Sequence, residues 1–174
     1  LPVKVDSVGN VLITKPGTKG LETKPAVVLQ GHLDMVCEKN SGTVHDFTKD
    51  PIRLVVDGTE VKADGTTLGA DNGIGCAAAL AVLESKEVAH PPLECLFTID
   101  EETGLTGANA LAPTFLTAQR MLNLDTEEEG AIYVGCAGGL DTMASTKVAR
   151  VVPAAGASAY RSSVTGLRGG PSGC

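Results

Sequence analysis

The 174-residue sequence predicts an α/β fold, with a mixed and mostly parallel sheet flanked by helices. Short apolar runs alternate with an alanine- and leucine-rich stretch, which is the order expected of strands joined by crossover helices. The composition agrees with this fold class, since 43% of the residues are hydrophobic, only 3% are aromatic and 21 are glycine. We therefore expect a globular core of aliphatic side chains connected by tight turns.

The predicted elements follow the apolar and β-branched runs of the first 124 residues. Strands are predicted at residues 10–14, 26–29, 54–56, 93–99 and 121–124. Helices are predicted at residues 72–85 and, more briefly, at residues 105–111. From Gly138 onward Val, Ala, Ser and Thr alternate, which predicts the start of a second, more antiparallel unit.

Charge and composition exclude several classes of partner. The chain has 14 basic and 21 acidic residues, a net charge of −7, and no cluster of Lys or Arg, so we expect no nucleic-acid partner. No apolar stretch approaches the roughly 18 to 20 residues that span a bilayer, so we expect no membrane insertion. The five cysteines are scattered and lie mostly in apolar runs, which predicts reduced, buried thiols and a cytoplasmic location.

Acidic residues follow the predicted strands at the positions where α/β folds bind ligands, beyond the carboxyl ends of the strands. One histidine and several carboxylates arrive there from separate parts of the chain: His32, Asp34, Asp71, Asp100, Glu101, Glu102 and Asp125. Carboxylates gathered in one cleft repel each other and raise each other's pKa values. A bound cation would relieve that repulsion, so the pattern predicts a metal site.

The stretch LQGHLDMV at residues 29–36 supports this interpretation. Side chains two apart on an extended segment point to the same side, so His32 and Asp34 are expected to face together. Leu33 and Met35 are then expected to turn into the core. Asp34 can hydrogen-bond the imidazole, as carboxylates beside metal-bound histidines usually do. Mixed imidazole and carboxylate ligands suit Zn²⁺, with Mn²⁺ or Co²⁺ as alternatives.

The adjacent pair Glu101 and Glu102 offers one carboxylate for the metal and one to take a proton from metal-bound water. Each motif also has a structural interpretation. The histidine and aspartate could lie on a surface turn, and the glutamate pair could be a solvated face. The GADNGIG segment at residues 69–75 could be a glycine-rich turn or a phosphate loop, but it lacks the P-loop Lys-Ser/Thr and the GxGxxG spacing. Taken together, the set favours the metal site.

The other candidates are assigned structural roles. His45 and His90 are expected in loops or packing, and no CxxC spacing indicates a thiolate metal site. The acidic run at residues 127–129 is expected to be solvated, with one glutamate eligible to contact substrate.

Six stretches together carry a family resemblance: GHLDMVCEKN, HDFTKDPI, GTTLGADNGIG, DEETGLTGA, NLDTEEEG and GCAGG. With them, residues 9–139 resemble the aminoacyl-histidine dipeptidases, also called peptidase D or Xaa-His dipeptidases. These belong to the dinuclear zinc exopeptidases, with carnosinases and cytosolic non-specific dipeptidases. The resemblance implies two zinc ions, a cis peptide bond at Asp71-Asn72 and hydrolysis of unblocked dipeptides, including those ending in histidine. It also implies a homodimer for a full-length form.

The resemblance assigns a role to each candidate residue. His32 would bind one zinc, and Asp71 would bridge both ions. Glu102 would complete one metal shell and Asp125 the other. Asp34 would orient His32. Glu101 would be the general base that takes the proton of the attacking water and returns it to the leaving amine.

The resemblance also predicts an incomplete chain. Residues 1–140 would be a partial catalytic, metal-binding domain, and residues 141–174 a transition into an incomplete lid and dimerisation domain. Pro171 stands where the family has a histidine that contacts the substrate oxyanion, and a further C-terminal histidine ligand is expected outside this sequence. Two hypotheses remain: a zinc dipeptidase of which this is a part, or a non-catalytic truncated relative that keeps a partial metal site and acts by binding or assembly.

Overall fold

A computed structural model describes residues 1–126, 128–136 and 142–163 of the chain. The chain divides into two units, Leu1–Ala131 and Ile132–Cys174. The first unit contains the described strands and helices, and we number them in chain order. They are β1 (Val3–Val5), β2 (Val11–Lys15), β3 (Val27–His32), β4 (Leu54–Asp57), β5 (Glu60–Ala63), α1 (Ala70–Glu84), β6 (Leu93–Thr98), α2 (Thr106–Asn109) and β7 (Met121–Asn123).

Five strands form a mixed sheet in the order β1-β2-β6-β3-β7. Strand β2 is antiparallel to β1 and to β6, whereas β6, β3 and β7 are parallel to each other. This sheet confirms the predicted fold class. Strands β4 and β5 form a separate antiparallel hairpin. Because β3, β6 and β7 run in one direction, their carboxyl ends lie at the same edge of the sheet.

The two faces of the sheet carry separate apolar clusters. On the face covered by α1, Leu29, Cys95 and Phe97 pack with helix residues Ala79 and Leu83. On the opposite face the buried cluster consists of Leu12, Val28 and Leu96, with partly buried Leu111, Phe115 and Leu116 from the segment after α2 packed against it. Full burial of one such side chain contributes about 1.5 to 3 kcal/mol. These two clusters hold the strand ends in place.

Several predicted bounds were wrong. Strand β3 continues three residues beyond its predicted end, through Gly31 to His32. The helix predicted at residues 105–111 is a single turn, because Leu105 has a positive φ of 57° and Pro113 disfavours helical backbone in the residue before it. Strands β1 and β5 were not predicted. Both are short, and β5 alternates charged with small apolar residues, which gives little apolar signal.

The cysteines only partly match expectation. Cys76 and Cys95 are buried free thiols, as predicted, and burial raises the pKa of Cys95 to about 11. Cys37 and Cys136 are free but exposed, so their predicted burial is wrong. Cys37 follows the end of β3 in a surface loop, where its apolar neighbours leave the core. Cys174 lies outside the described residues.

The second unit is described at residues 132–136 and 142–163, and in those residues the structure has no helix or strand. The predicted transition into a lid and dimerisation domain after residue 140 stays a prediction. Pro171 and the last three residues of GCAGG lie outside the described part of the chain. Within the described residues, no helix has the length and apolarity needed to cross a bilayer.

Candidate metal centre

The candidate site lies where the carboxyl ends of β3, β6 and β7 meet the start of α1. His32 is the last residue of β3 and pairs in register with Thr98, the last residue of β6. Asp125 comes two residues after β7, and Asp71 lies in the first turn of α1. Parallel pairing therefore brings together residues that lie almost a hundred positions apart in the sequence.

His32 is 1% exposed and presents one ring nitrogen to the carboxylates. Its Nδ1 lies 3.0 Å from the backbone carbonyl oxygen of Asp34. A carbonyl only accepts hydrogen bonds, so Nδ1 carries the proton and donates. Nε2 lies 3.0 Å from Asp71 Oδ1 and 3.4 Å from Asp125 Oδ1. In the neutral ring, Nε2 therefore has its lone pair directed at the acidic cluster, as a metal ligand requires.

Three side chains lie close enough together to belong to one metal site. One ligand atom from each of His32, Asp71 and Glu102 lies within 4.8 Å of the others. Asp125 approaches the same imidazole nitrogen from the end of β7. One imidazole and three carboxylates thus converge from four separate segments. These donors fit zinc or a related divalent ion.

Asp34 contacts both halves of the site, which are the end of β3 with His32 and the loop after β6 with Glu101 and Glu102. Its Oδ1 lies 3.4 Å from His32 Nδ1, so the two side chains face together as the spacing predicts. Its two carboxylate oxygens accept the backbone N–H groups of Glu101 and Glu102, each at 3.1 Å. Asp34 therefore ties the end of β3 to the loop after β6. The expectation that Leu33 turns into the core is wrong: the strand ends at His32, and Leu33 is 55% exposed. Met35, expected in the core as well, is half-buried.

The pKa values show that negative charge is in excess here. Burial opposes protonation of His32, but Asp125, Asp71 and Asp34 outweigh it and raise the His32 pKa. Burial, with Asp71 and Glu101 nearby, raises the pKa of Asp125 to about 6. Burial and the neighbouring carboxylates also raise the pKa of Glu102. A divalent cation would reverse these shifts by favouring the ionised carboxylates and the neutral imidazole.

Asp34 is shifted in the opposite direction. Burial alone would raise its pKa, but the hydrogen bonds from the Glu101 and Glu102 backbone lower it. Asp34 therefore stays ionised beside carboxyl groups that tend to protonate. Asp34 is thus an anion stabilised by backbone N–H groups, whereas burial and neighbouring carboxylates raise the pKa values of Asp125 and Glu102.

Glu101 and Asp100 have different positions in the loop after β6. Glu101 and Asp125 border a cavity of about 170 Å³ between the sheet and the segment around α2. Asp100 instead accepts the hydroxyls of Thr103 and Thr106, which hold its pKa below the usual range. Asp100 has a positive φ of 53° and closes the turn. Of the acidic residues after β6, Asp100 thus holds the turn together, and Glu101 faces the cavity.

Comparisons with known proteins identify the family of the chain. The sequence profile of Peptidase family M28 matches residues 10–169. The chain belongs to peptidase family M28. The M28 chain is 54% identical over 171 residues to the cytosol non-specific dipeptidase of Escherichia coli, covering 98% of this chain and 35% of that protein. It is 36% identical over 123 residues to the uncharacterized protein YqjE of Bacillus subtilis, covering 68% of this chain and 30% of that protein.

Solved structures give the same fold. The crystal structure of aminoacylhistidine dipeptidase from Vibrio alginolyticus superposes with a TM-score of 0.71 at 58% identity, covering 74% of this chain and 26% of that one. The aminopeptidase PepT of Bacillus cereus superposes with a TM-score of 0.57 at 27% identity, covering 73% of this chain and 34% of that one. These relatives confirm the resemblance found in the sequence. The M28 chain spans about a third of the length of the relatives it matches.

The sequence prediction missed one residue that the structure places at the centre. Asn72 is 4% exposed and hydrogen-bonds the backbone beside two of the candidate ligands. Its position directly after Asp71 was the available signal. The peptide bond between these residues is cis, as the resemblance implies. His45 packs edge-on against Phe47, as expected of a residue with a packing role. Glu127 lies outside the described residues.

Proposed function

We propose that the protein to which these residues belong hydrolyses unblocked dipeptides, including Xaa-His dipeptides, with two zinc ions. The observation that carries the proposal is the convergence of His32 Nε2 with the carboxylates of Asp71, Glu102 and Asp125. The names of two relatives, a cytosol non-specific dipeptidase and an aminoacylhistidine dipeptidase, support the substrate class. Mn²⁺ and Co²⁺ suit the same donors.

In this proposal His32, Asp71 and Asp125 would hold one ion, and Asp71 and Glu102 would hold the other. Asp71 is the proposed shared ligand, and its Oδ1 lies 3.0 Å from His32 Nε2. When bound, the ions supply Lewis acidity and lower the pKa of the attacking water. The Asp34 carbonyl keeps the proton of His32 on Nδ1, which leaves Nε2 free as a ligand.

Glu101 acts as the general base in the proposed reaction. It accepts a proton from the attacking water and returns it to the amine that leaves. Glu101 lines the same cavity as Asp125. The hydrogen bond from its own N–H to Asp34 fixes the backbone that carries this side chain.

We also propose a cytoplasmic homodimer for the whole protein, supported by the family resemblance and by the word cytosol in the name of the E. coli relative. A non-catalytic relative that only binds metal is the second hypothesis. We do not favour it, because every proposed ligand and the proposed base have the residue type that the dipeptidase resemblance requires.

Hydrolysis of Ala-His tests the function. The purified full-length protein that contains these residues is assayed with added zinc beside its Glu101→Ala variant, which removes the proposed base, and its Glu38→Ala variant, an exposed control. We expect the unaltered chain and the control to hydrolyse the dipeptide and the Glu101 variant to lose about 100- to 10,000-fold in rate. Equal rates for all three chains would contradict the catalytic proposal and favour the non-catalytic hypothesis.

A further inference from the structure

We infer that Asn72 is a positioning residue that sets the separation between His32 and Asp125 by inserting its side-chain amide between strands β3 and β7. The inference rests on the proposed metal site. It concerns a residue that binds no ion itself and that acts through the backbone of its neighbours.

The position of Asn72 follows from an interruption of the β3 and β7 ladder. The two strands pair in parallel as far as Gln30 and Asn123, and Leu124 N–H donates to the Gln30 carbonyl at 2.9 Å. The next rung of a regular parallel ladder would join the N–H of His32 to the carbonyl of Leu124. That rung is replaced. His32 N–H donates to Asn72 Oδ1 at 3.2 Å, and Asn72 Nδ2 donates to the Leu124 carbonyl at 2.7 Å.

The amide lengthens the link between the strands. A direct rung spans one hydrogen bond of about 2.9 Å. Here two hydrogen bonds and the width of an amide group lie between the same backbone atoms. The strands therefore separate just where His32 ends β3 and where Leu124 precedes Asp125. This separation opens space for an ion between the two side chains while keeping both backbones hydrogen-bonded.

The surrounding residues leave room for this insertion. A Cβ added at Gly31 would overlap Asn72 Oδ1 and would lie 3.3 Å from Cys76 Sγ. A Cβ added at Gly75 would fall 2.5 Å from the Leu124 carbonyl oxygen and 2.6 Å from Asn72 Oδ1. Glycine at both positions is thus what allows the buried amide to reach both strands.

Helix α1 also holds the backbone carbonyl of His32. The thiol of Cys76, one turn after Asn72, donates to the His32 carbonyl at 3.1 Å. Both backbone polar groups of His32 are therefore bonded to side chains of α1. The first turn of α1 contains Asp71, so the helix positions this proposed ligand directly. It positions a second proposed ligand, His32, through Asn72 and Cys76.

The test compares zinc affinity with folding in variants of the intact chain. Asn72→Leu keeps the approximate size of the side chain and removes both hydrogen bonds, and Asn72→Ala removes them without adding bulk. Asn40→Ala is the matched control at an exposed asparagine. Zinc affinity is measured by competition with a chelator. Binding at His32 is followed by the ¹⁵N resonances of the imidazoles, which are resolvable because the chain has only three histidines.

We expect both Asn72 variants to bind zinc about 10- to 100-fold more weakly, the range typical for loss of a group that supports metal ligands. Asn40→Ala should bind like the unaltered chain. Circular dichroism and the melting temperature of the metal-free chain report folding. If Asn72 only satisfied buried backbone groups, its loss would lower the melting temperature and leave the zinc affinity of the folded protein unchanged.

A second measurement does not depend on zinc. In the metal-free chain, the amide of His32 should exchange with solvent faster in Asn72→Ala than in Asn40→Ala, because its acceptor is gone. Slow exchange in both variants would overturn the contact itself. A folded Asn72 variant with unchanged zinc affinity would overturn the positioning role alone. If the unaltered chain and the control bind no zinc at His32, the proposed function falls, and the positioning role falls with it.

Discussion

His32 ends strand β3 and Glu101 follows the neighbouring parallel strand β6, but the fold holds the two residues in different ways. His32 belongs to its strand, is 1% exposed and has its backbone bonded by side chains of α1. Glu101 lies on a half-buried loop whose N–H groups are held by Asp34. The proposed metal ligand on β3 is thus fixed by the sheet and helix. The loop that carries the proposed base is held by hydrogen bonds to a residue outside the loop, Asp34.

The loop that carries Glu101 and Glu102 has a second support. Asn10 is 0% exposed at the start of β2, and its Oδ1 accepts the N–H of Ile99 at 3.2 Å. Its Nδ2 donates to the Gly107 carbonyl at 2.8 Å. One buried amide therefore joins the two ends of the loop, much as Asn72 joins β3 and β7. Each half of the site has its own buried asparagine, and Asp34 connects the halves.

The largest effect on both halves is expected from Asp34→Asn. One oxygen acceptor becomes an N–H donor that faces a backbone N–H of Glu101 or Glu102, and the charge beside His32 is lost. We expect zinc affinity and Ala-His hydrolysis each to fall about 10- to 100-fold. Chelator competition and initial rates measure the two effects. Asp64→Asn, at an exposed aspartate, should change neither. A loss confined to hydrolysis would show that Asp34 supports the acidic loop and not His32.

A smaller and more selective effect is expected from Asn10→Leu. It removes the support of the acidic loop and leaves buried backbone groups of Ile99 and Gly107 without their partner. We expect the free energy of unfolding to fall by about 1 to 3 kcal/mol, measured by urea titration. Zinc affinity at His32 should be nearly unchanged, because β3 is held by α1. If zinc affinity fell as far as in Asn72→Leu, Asn10 and Asn72 would not support the two halves of the site independently.

The smallest effect is expected at Glu94, near the start of β6 and at the opposite end of the strand from the site. Burial would raise its pKa, but hydrogen bonds from Thr117 and Ala118 lower it below the ordinary value of 4.5. A carboxyl whose pKa is lower when folded stabilises the fold above its unfolded pKa. That stability is lost as pH falls through the folded pKa. Glu94→Gln should therefore remove part of the acid sensitivity below pH about 4.5, on the order of 1 kcal/mol.

Urea titrations of both chains between pH 3 and pH 7 measure this effect of Glu94. The unaltered chain and Glu94→Gln should converge in stability at the acidic end. Parallel pH profiles would show that the buried carboxylate contributes nothing to acid sensitivity. Metal binding should be the same in both chains at neutral pH.

The sequence was sufficient to predict the strands that carry the site, because an apolar run followed by an acidic residue marks a buried strand that ends at a polar cleft. His32 and Asp125 could be grouped on that basis, and Asp71 could be added from its place at the start of the predicted helix. The positions of β1 and β5 could not be predicted, since three or four residues with exposed side chains leave no periodic signal.

The residues that hold the candidate ligands in place could not be predicted from the sequence either. Asp34 binds backbone N–H groups of Glu101 and Glu102, and Asn72 binds the backbone of His32 and Leu124. Backbone groups are the same at every residue, so these partners have no side-chain signature. The residue types of the candidate ligands could thus be read from the sequence. The residues that hold them in place required the fold.

The most direct test of the central claim is the zinc content of the purified chain beside that of Asp71→Ala. Asp71 is the proposed bridge between the ions, and its Oδ1 lies 3.0 Å from His32 Nε2. Equilibrium dialysis followed by elemental analysis gives the number of zinc ions per chain. The account predicts that the unaltered chain binds zinc and that Asp71→Ala loses it. Unchanged zinc stoichiometry in Asp71→Ala would contradict the proposed metal centre.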